Sequence, residues 1–456
     1  MIADLQRRVG ELEALVRDLR ARLGTNATNS STPPSANPPG APPPTAKKPT
    51  GKRRGAQPGH PPRLRLRLPP ERVNRVVTFI PDACGRCGAG LPRRPGPDDP
   101  EPTWHQVAEL PPLVAEVTEY QGHARTCPCC GAVTRAAIPA DLKAHSFGPR
   151  LTATLSYFVG CHRASRRGAE EIADDVFAVP ISLGSVCHLE RQTSAALAPG
   201  HAEAVTAVRA AAAKHVDETS WKEAGQGRWL WVAATATVAA FVIHARRGLD
   251  GLRALLGAAI PGILVTDRWS AYKGLPAERR QLCWAHLVRD FTAMVDRGGA
   301  GAAIGQDLLC LAGVLFEGWK QVRDGPRTRR WFRRTVLAAI RPDVQALLAR
   351  GAVCGCAKTA ATCRELLPWE QSLWTFAHVA GVEPTNNHAE RVLRKAVLWR
   401  KGSFGCGSAE GCQFVERILT VVQTLRLQER PVLDYLYRAV VAHRAGLPAP
   451  ELLPAG

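Results

Sequence analysis

Apolar residues recur at steps of three and four along the start of the chain, at Ile2, Leu5, Val9, Leu12, Val16, Leu19 and Leu23. These are the a and d positions of three heptads, and Val mostly at a with Leu mostly at d favours a parallel dimer. The pattern predicts a coiled-coil zipper over residues 1–24, and therefore a homodimer or a higher oligomer. The alternative is a single amphipathic helix that packs on its own protein.

Helical periodicity returns at Leu151, in the segments LTATLSYFVGCHRAS, RRGAEEIADDVF and LGSVCHLERQTSAALA. The last helix is predicted to begin at Ser182 or Ser185, after a short turn, which resembles a helix-turn-helix. We therefore predict a helical, helix-turn-helix-like DNA-binding region over 141–205, although any helical hairpin has the same pattern. Its candidate DNA-reading side chains are Ser185, His188, Arg191 and Gln192.

From Lys214 the pattern changes to strands. Three segments, KHVDETSWK, GRWLWVAATAT and AAFVIHAR, predict a meander with turns at Gly225 to Gly227 and near Val238. A helix over LDGLRALLG follows, then a buried strand over GILVTDRWSAY that ends in Asp267, a short helix, and a fifth strand over QLCWAH. Three strands, helix, strand, helix, strand is the element order of an RNase H-like core, so the chain is predicted to be a multidomain α/β protein.

That fold places the first and fourth strands side by side, which would bring Asp217 and Asp267 together although they are far apart in sequence. A final helix lies across the sheet and contributes a third carboxylate, for which Glu390 is the candidate. The core is then divided between residues 206–290 and 382–428, with a helical insertion over 291–381 and a C-terminal helix and tail over 429–456.

The stretch Glu383 to Gly405, EPTNNHAERVLRKAVLWRKGSFG, predicts a basic amphipathic helix of roughly 14 residues. It is predicted to begin within its Pro-Thr-Asn-Asn sequence and to stop at Gly402. Its apolar face comprises Ala389, Val392, Leu393, Ala396, Val397 and Trp399. Glu390 lies at the border of that face, where it could instead close a capping box with Asn387 or pair with Arg394.

Three carboxylates suit two Mg²⁺ ions, because Mg²⁺ prefers hard oxygen ligands and a pair of ions stabilises the attacking and leaving oxygens of a phosphodiester. We therefore predict two catalytic Mg²⁺ ions bound by Asp217, Asp267 and Glu390, with no protein nucleophile. Glu218 is an alternative to Asp217, since neighbours in a strand point to opposite faces and only one can face the metals. His286, at the end of the fifth strand, is a candidate for substrate contact or an ordinary hydrogen-bonded histidine.

Fourteen cysteines in a chain that does not begin with a signal peptide indicate metal sites and reduced thiols rather than disulfides. Two knuckles, Cys84-Gly-Arg-Cys87 and Cys127-Pro-Cys129-Cys130, are each followed by Gly. Four thiolates suit a tetrahedral Zn²⁺, and a site with four protein ligands has no open position, so the ion is structural. We predict a zinc-ribbon-like module over 71–140 that binds one Zn²⁺ through Cys84, Cys87, Cys127 and Cys130, with Cys129 as the spare.

The net charge of +20 and the pI near 9.8 indicate a polyanionic partner, with nucleic acid as the first candidate and an anionic membrane surface as the alternative. The longest near-apolar run, Leu230 to Ile243, is shorter than the ~18 to 20 residues of a membrane span. We therefore expect no membrane segment and a cytoplasmic, nucleoid-associated protein.

Two basic clusters either contact DNA phosphates or face solvent. Residues 25–70 form a Pro-rich linker that is expected to be disordered and carries Lys47, Lys48, Lys52, Arg53 and Arg54. The helical insertion carries Arg327, Arg329, Arg330, Arg333 and Arg334.

Together these segments resemble the transposases of the insertion-sequence-66 family. The resemblance extends from the zipper through the TNSSTPPS linker and the two knuckles to HVDETSW, TDRWSAY, CWAHLVRDF and TNNHAERVLRKAVLWRKGSFG. It implies a bacterial DNA transposase that cleaves transposon ends and transfers strands, with Asp217, Asp267 and Glu390 as the metal ligands of an RNase H-like fold. Accessory proteins of the same element are implied as further partners. The residues expected to contact DNA are Asn387, Arg391, Arg394, Lys395, Arg400, Lys401, His286 and Arg191.

The sequence departs from the family pattern on both sides of Glu390. Thr385 stands where the family has Asp before the Asn pair, and Gly402 and Ser403 stand where it has Asn and a large apolar residue. These differences keep the triad but leave the local DNA contacts open. The alternatives to a transposase are a catalytically inactive, zinc-containing DNA-binding protein and a structure-selective nuclease on the same fold, which would not join strands.

Overall fold

The structure, a computed structural model, describes residues 8–9, 66–94, 96–97 and 99–454. The chain divides into two compact units, Thr45–Ala115 and Met1–Pro44 together with Glu116–Gly456. The predicted zipper, apart from Arg8 and Val9, and most of the predicted linker lie outside the described residues.

The described part of the smaller unit contains one cysteine knuckle. The amide of Cys84 donates to the carbonyl of Ala89 at 2.8 Å, and the amide of Gly88 donates to the carbonyl of Cys84 at 3.0 Å. Gly88 has a φ of 75°, in the left-handed region that favours glycine. None of the described residues of this unit is buried, so an apolar core does not hold them together.

A matching knuckle in the larger unit connects the hairpin strands β1 (Ala124–Thr126) and β2 (Val133–Arg135). The amide of Cys127 donates to the carbonyl of Ala132 at 2.8 Å, and the amide of Gly131 donates to that of Cys127 at 3.0 Å. Both Cys-x-x-Cys-Gly sequences therefore fold into the same turn. Zinc binding by the two knuckles stays a prediction.

Four helices follow, namely α1 (Ala140–Lys143), α2 (Pro149–His162), α3 (Arg166–Phe177) and α4 (Leu183–Ala210). The hydroxyl of Ser182 accepts a hydrogen bond from the amide of Ser185 at 3.2 Å, which caps α4. The first of the two predicted helix starts is thereby confirmed. Helix α4 extends across the predicted boundary at residue 205. The predicted helical region and the predicted core are therefore connected by one continuous helix.

The sheet has five strands, β3 (Ala213–Glu223), β4 (Gln226–Ala234), β5 (Ala239–His244), β6 (Ile263–Thr266) and β7 (Arg280–Leu282). Their order is β5-β4-β3-β6-β7, with β3, β4 and β5 antiparallel and with β6 and β7 parallel to β3. Ala224 and Gly225, both at positive φ, close the β3–β4 turn, and helix α5 (Leu249–Leu256) connects β5 to β6. The predicted pairing of the first and fourth strands is therefore confirmed.

Three helices complete the C-terminal part, α12 (Asn387–Ser403), α13 (Ala409–Leu427) and α14 (Val432–Arg444). Helix α12 packs on the sheet through four of the predicted apolar positions, which are buried: Ala389, Val392, Leu393 and Ala396. The predicted stop at Gly402 is wrong by one residue. The helix ends at Ser403, and the next residue, Phe404, adopts a left-handed φ of 60°.

Helix α13 covers the outer edge of the sheet with polar side chains spaced four residues apart. Thr424 Oγ1, Thr420 Oγ1 and Glu416 Oε1 accept hydrogen bonds from the amides of alternate β5 residues at 3.1, 2.9 and 2.6 Å. An edge strand otherwise presents unpaired amides that can pair with another chain. The helix therefore satisfies this edge without a sixth strand.

The helical insertion contains α6 (Trp284–Asp296), α7 (Ala300–Arg323), α8 (Arg329–Phe332), a π-helical turn (Arg333–Leu337), α9 (Ala338–Ala352), α10 (Ala357–Leu366) and α11 (Thr375–His378). Its core includes edge-to-face contacts of Trp319 with Phe332 and Phe376, with ring centroids 5.4 and 4.8 Å apart. Within the described residues, α7 alone has the length and composition that a membrane span requires, which is weak evidence, and it packs into this core through Trp319.

The basic cluster of the insertion is partly used inside the protein. Arg329 donates to the carbonyls of Phe376 and Val379, and Arg333 donates to the carbonyl of Ala377 at 3.1 Å. These two guanidinium groups therefore hold the α8 and α11 regions together. Three members of the cluster are exposed, namely Arg327, Arg330 and Arg334.

Candidate active site

Three acidic residues come together from three separate elements. Asp217 lies in β3, Asp267 directly follows β6, and Glu390 lies in the first turn of α12. The β3–β6 pairs share one offset, from Ala213 with Ile263 to His215 with Val265, and two more residues at this offset align Asp217 with Asp267. The parallel register therefore explains how acids distant in sequence become neighbours.

The electrostatics of Asp217 reflect this arrangement. Burial, followed by the negative charges of Glu218, Asp267 and Glu390, holds the pKa of the Asp217 carboxyl well above its ordinary value. Within the described residues, no Lys or Arg nitrogen lies within 4.0 Å of a carboxylate oxygen of Asp217, Asp267 or Glu390. Arg280 Nη2 donates instead to the backbone carbonyl of Asp267, at 2.8 Å, so among the described residues the three carboxylates form a cluster without a Lys or Arg ion pair.

Backbone amides fix one oxygen of each aspartate. Asp217 Oδ1 accepts from the amide of Glu218 at 2.9 Å, and Asp267 Oδ1 accepts from the amide of Trp269 at 2.8 Å. Each aspartate therefore has one held oxygen and a second oxygen for another ligand. Glu390 is more exposed, with 34% of its side chain accessible, and its Oε1 lies 3.8 Å from His286 Nε2.

Glu218 differs from its neighbour Asp217 because it has partners within the protein. Its Oε1 accepts from Arg247 Nε at 2.8 Å and its Oε2 accepts from the Tyr272 hydroxyl at 2.6 Å. Only 1% of its side chain is exposed. Both carboxylate oxygens are therefore occupied, which favours Asp217 over Glu218 as the strand residue free to bind a metal.

Asn386, rather than Asn387, is the N-cap residue of α12, and its side chain connects that helix to β3. Its Nδ2 donates to the carbonyl of Val216 at 2.7 Å, and its Oδ1 accepts from His215 Nδ1 at 3.2 Å. The predicted capping box with Asn387 is therefore wrong. The sequence signal was the Asn pair itself, but sequence alone does not tell which Asn is buried.

His286 lies in the first turn of α6, so the predicted strand over QLCWAH is too long. Strand β7 ends at Leu282, and the chain turns at Cys283 to begin the helix. Burial lowers the pKa of the His286 imidazole, although the charges of Asp267 and Glu390 oppose this. Its buried Nδ1 has no hydrogen-bond partner in the described part of the chain. The histidine nevertheless adjoins the carboxylates, as the sequence predicted.

The predicted DNA-contacting residues of α12 fall into two groups. Four of them, Asn387, Arg391, Arg394 and Lys395, are exposed around Glu390, and Lys401 is exposed at the end of the helix. Arg400 instead donates to Thr219 Oγ1 at 2.9 Å and to the carbonyl of Ser220 at 3.0 Å. That guanidinium therefore attaches the helix to β3.

The candidate DNA-reading side chains of α4 are also divided. Arg191 and His188 are exposed. The Gln192 amide accepts from Arg444 Nη2 at 2.8 Å and contacts His188 Nε2 at 2.8 Å, and Ser185 is bonded to the cap residue Ser182. Of these residues, Arg191 and His188 are the accessible ones.

The donor chemistry of the carboxylate cluster fits hard divalent cations, because three carboxylates without basic partners are the ligands that Mg²⁺ prefers. Within the described residues, however, no group of three or more His, Cys, Asp or Glu side chains stands in a metal-binding arrangement. Metal binding therefore requires the carboxylates to turn toward a shared ion.

The cysteine knuckles are compatible with metal binding as well, each by itself. Hydrogen bonds from the amides of Cys87 and Arg86 lower the pKa of the Cys84 thiol, and those from Cys130 and Cys129 lower the pKa of Cys127. Such amides stabilise a thiolate, which is the form that binds zinc.

Comparison with known proteins identifies the larger unit. Residues 145–414 match the model of the family described as Transposase IS66 family, and residues 1–65 match a family of unknown function, DUF6444. The chain is also 28% identical over 246 residues to "Uncharacterized protein y4qI" of Sinorhizobium fredii (strain NBRC 101917 / NGR234), which is 49% of this chain and 45% of that relative. It thus spans less than half the length of that relative. Because the first match covers more than half of the sequence and includes all three acids, the chain belongs to the IS66 family of transposases.

Proposed function

We propose that the protein is the DNA transposase of an insertion element, which cleaves the element's ends and transfers strands on an RNase H-like core. The observation that carries the proposal is the cluster of Asp217, Asp267 and Glu390, which forms no ion pair with Lys or Arg in the described part of a chain with a net charge of +20. The raised pKa of Asp217 shows that its charged form is disfavoured by burial and by the neighbouring acids, and strongly displaced pKa values are typical of functional sites.

The three carboxylates would hold two Mg²⁺ ions, which when bound supply charge stabilisation for the phosphodiester and activate a water or a 3′-hydroxyl. The amides of Glu218 and Trp269 hold one oxygen of each aspartate and so orient the other. Asn386 holds the start of α12 against β3, which positions Glu390 opposite the aspartates. His286, whose Nε2 lies 3.8 Å from Glu390 Oε1, is a candidate for contact with the substrate.

The DNA backbone would lie along the exposed basic side chains of α12, which surround Glu390 on the same helix. Arg391, Arg394, Lys395 and Lys401 can each neutralise a phosphate, and Asn387 can donate to one. Arg191 on α4 is proposed as a further contact. We also propose that the protein acts at the bacterial nucleoid as a homodimer or higher oligomer, with accessory proteins of its element.

The test is a cleavage and joining assay on the DNA that flanks the gene, with wild-type protein and with Asp217→Asn, Asp267→Asn and Glu390→Gln. Each variant should lose Mg²⁺-dependent cleavage by about a thousandfold, as expected when a group that stabilises transition-state charge is removed, while DNA binding is retained. Glu365→Gln is the matched control, because that carboxylate is bonded to Lys273 and Arg268.

Two outcomes would change the assignment. Cleavage retained by Glu390→Gln would exclude that residue from the metal ligands. Cleavage without joining by the wild-type protein would instead indicate a nuclease.

We further propose that Cys84, Cys87, Cys127 and Cys130 bind one structural Zn²⁺. The matching turns and the amides directed at Cys84 and Cys127 support this. Cys84→Ser and Cys127→Ser should each lose the zinc measured by atomic absorption, and the smaller unit should become more sensitive to protease, since no described residue in it is buried. Cys129→Ser should keep its zinc. Unchanged zinc content in Cys84→Ser would refute the site.

A further inference from the structure

One large aromatic side chain beside the carboxylates is exposed. Trp269 is 37% accessible and lies two residues after Asp267, whereas Trp221, Trp231 and Trp284 are at most 1% accessible. An exposed indole next to a catalytic carboxylate needs an explanation, because a tryptophan that only filled the core would be buried.

The indole of Trp269 is held in one orientation. Its Nε1 donates to the carbonyl of Arg247 at 3.0 Å, and its own amide donates to Asp267 Oδ1 at 2.8 Å. The Arg247 guanidinium carbon lies 3.8 Å from the ring centroid, which is a stacking distance.

Arg247 is fixed in turn from two sides. Its guanidinium carbon lies 4.8 Å from the centroid of Trp229, and its Nε donates to the buried carboxylate of Glu218. Trp229, Arg247 and Trp269 therefore form one stack at the end of β6. Arg247 covers one face of the Trp269 ring and its carbonyl binds the N–H edge, which leaves the opposite face as the candidate free face of a residue that is 37% accessible.

We infer that this free face of Trp269 is a stacking platform for an unpaired nucleobase next to the scissile phosphate. Nucleobases stack on exposed aromatic rings without sequence preference, and a ring whose orientation is already fixed binds without a further ordering cost. The base must be unpaired, because both faces of a base inside a duplex are covered by its neighbours.

The position of the platform agrees with this role. Two residues of chain span at most about 7 Å, so Trp269 lies close to the phosphodiester that Asp267 would help to cut. The inference rests on the proposed function, since it assigns the DNA end as the ligand. It adds that the nucleotide at the cut is separated from its partner when bound.

The test measures binding of full-length protein to two oligonucleotide duplexes of one sequence, with Ca²⁺ in place of Mg²⁺. One duplex is blunt, and the other has an unpaired 2-aminopurine nucleotide at one end. Wild-type protein should prefer the second duplex and quench its 2-aminopurine fluorescence. Trp269→Leu should bind that duplex about tenfold more weakly and lose the quenching, while its affinity for the blunt duplex is unchanged.

Two further variants separate stacking from folding and from charge. Trp269→Phe keeps an aromatic face and should retain most of the preference and the quenching. Arg394→Ala should weaken binding to both duplexes equally and reduce the salt dependence, as the loss of a phosphate contact does. An equal affinity of wild-type and Trp269→Leu protein for the unpaired end would overturn the inference.

The result also separates the two proposals. If the wild-type protein cuts its ends but shows no preference for the unpaired nucleotide, only the stacking platform is excluded. If it prefers the unpaired nucleotide but does not cut, the platform stands as a DNA-binding feature and the catalytic proposal fails. If it binds neither duplex, both are excluded.

Discussion

Two groups of carboxylates meet at the adjacent residues Asp267 and Arg268, and they differ in their partners. The first group contacts the Arg268 side chain, and the second group includes Asp267 itself. On one side, Arg268 donates to Asp290 at 2.9 Å and to Glu365 at 2.8 Å, and Lys273 lies 2.9 Å from Glu365. On the other side lie Asp267 and the two acids that approach it, and among the described residues no Lys or Arg forms an ion pair with them, although His286 lies 3.8 Å from Glu390.

One carboxyl of each group, Glu365 and Asp217, has a pKa displaced in the opposite direction from the other. Burial raises the pKa of the Glu365 carboxyl, but the hydrogen bond from Lys273 and the charge of Arg268 outweigh it, so the net pKa lies below its ordinary value. The pKa of Asp217 lies well above its ordinary value, because burial and neighbouring acids act in the same sense. The ionised Glu365 carboxylate is therefore favoured by its partners in the folded protein, whereas the ionised Asp217 carboxylate is disfavoured by its surroundings and would be stabilised by a bound cation.

The largest test of this contrast compares adjacent residues of β3. Glu218→Ala should lower the free energy of unfolding by about 3 kcal/mol, because it leaves the buried Tyr272 hydroxyl and the half-buried Arg247 guanidinium without their carboxylate. Asp217→Asn should leave the free energy unchanged or raise it by about 1 kcal/mol, because it removes a charge from an acidic cluster. Urea denaturation at pH 8 without divalent metal measures both.

Tyr272→Phe is the matched control for this pair. It removes only the hydrogen bond to Glu218 Oε2, so it should cost about 1 kcal/mol. A similar loss of stability in Asp217→Asn and Glu218→Ala would show that the two acids are not held in different ways.

Glu416 extends the comparison to a carboxylate whose partner is neutral. Its Oε1 accepts from the amide of Ile243, and burial raises the pKa of its carboxyl to about 7 from 4.5. Because the pKa of Glu416 is higher in the folded than in the unfolded protein, its protonated carboxyl contributes fully to the free energy of unfolding below pH 4.5. This contribution is lost as the pH rises through 7. With about 1.4 kcal/mol for each pKa unit, the loss is on the order of 3 kcal/mol.

Glu416→Gln keeps an oxygen acceptor for Ile243 but cannot ionise. It should therefore nearly equal the wild-type protein in unfolding free energy near pH 4.5 and exceed it by about 3 kcal/mol at pH 8.5. Thr420→Val is the control, since it removes a neutral acceptor from the amide of Phe241 and should cost about 1 kcal/mol at either pH. Parallel pH curves for wild type and Glu416→Gln would contradict the raised pKa.

The core of the sheet was predictable because local patterns and one register determine it. The alternation over KHVDETSWK and the buried run before Asp267 identify two strands, and the known order of such elements places them side by side. The constant offset between Ala213–Ile263 and His215–Val265 then aligns the two aspartates. Glu390 was predictable because helical periodicity places it beside the apolar positions that pack on the sheet.

The partners of the site could not be predicted, because they depend on contacts between distant elements. Sequence does not tell Asn386 from Asn387, nor that Arg400 donates hydrogen bonds to β3. The stack of Arg247 on Trp269 joins the end of β5 to the end of β6, and no periodicity indicates it. Likewise, the early end of β7 depends on the chain turn at Cys283, whose flanking residues Leu282 and Trp284 are equally apolar.

The smallest test concerns the group that contacts Arg268, where solvent reduces the value of an ion pair. Glu365 is 35% exposed and its two partners remain close to each other when it is neutralised, so Glu365→Gln should lower the unfolding free energy by about 1 kcal/mol. In 0.5 M salt most of this difference should disappear, because screening weakens exposed pairs more than buried ones. The Glu218→Ala difference should persist at the same salt concentration, since that carboxylate is buried. If both differences respond equally to salt, then burial does not distinguish the ion pairs of Glu365 from the ion pair of Glu218. The different behaviour of the carboxylates around Asp267 would then depend only on their distances from basic side chains.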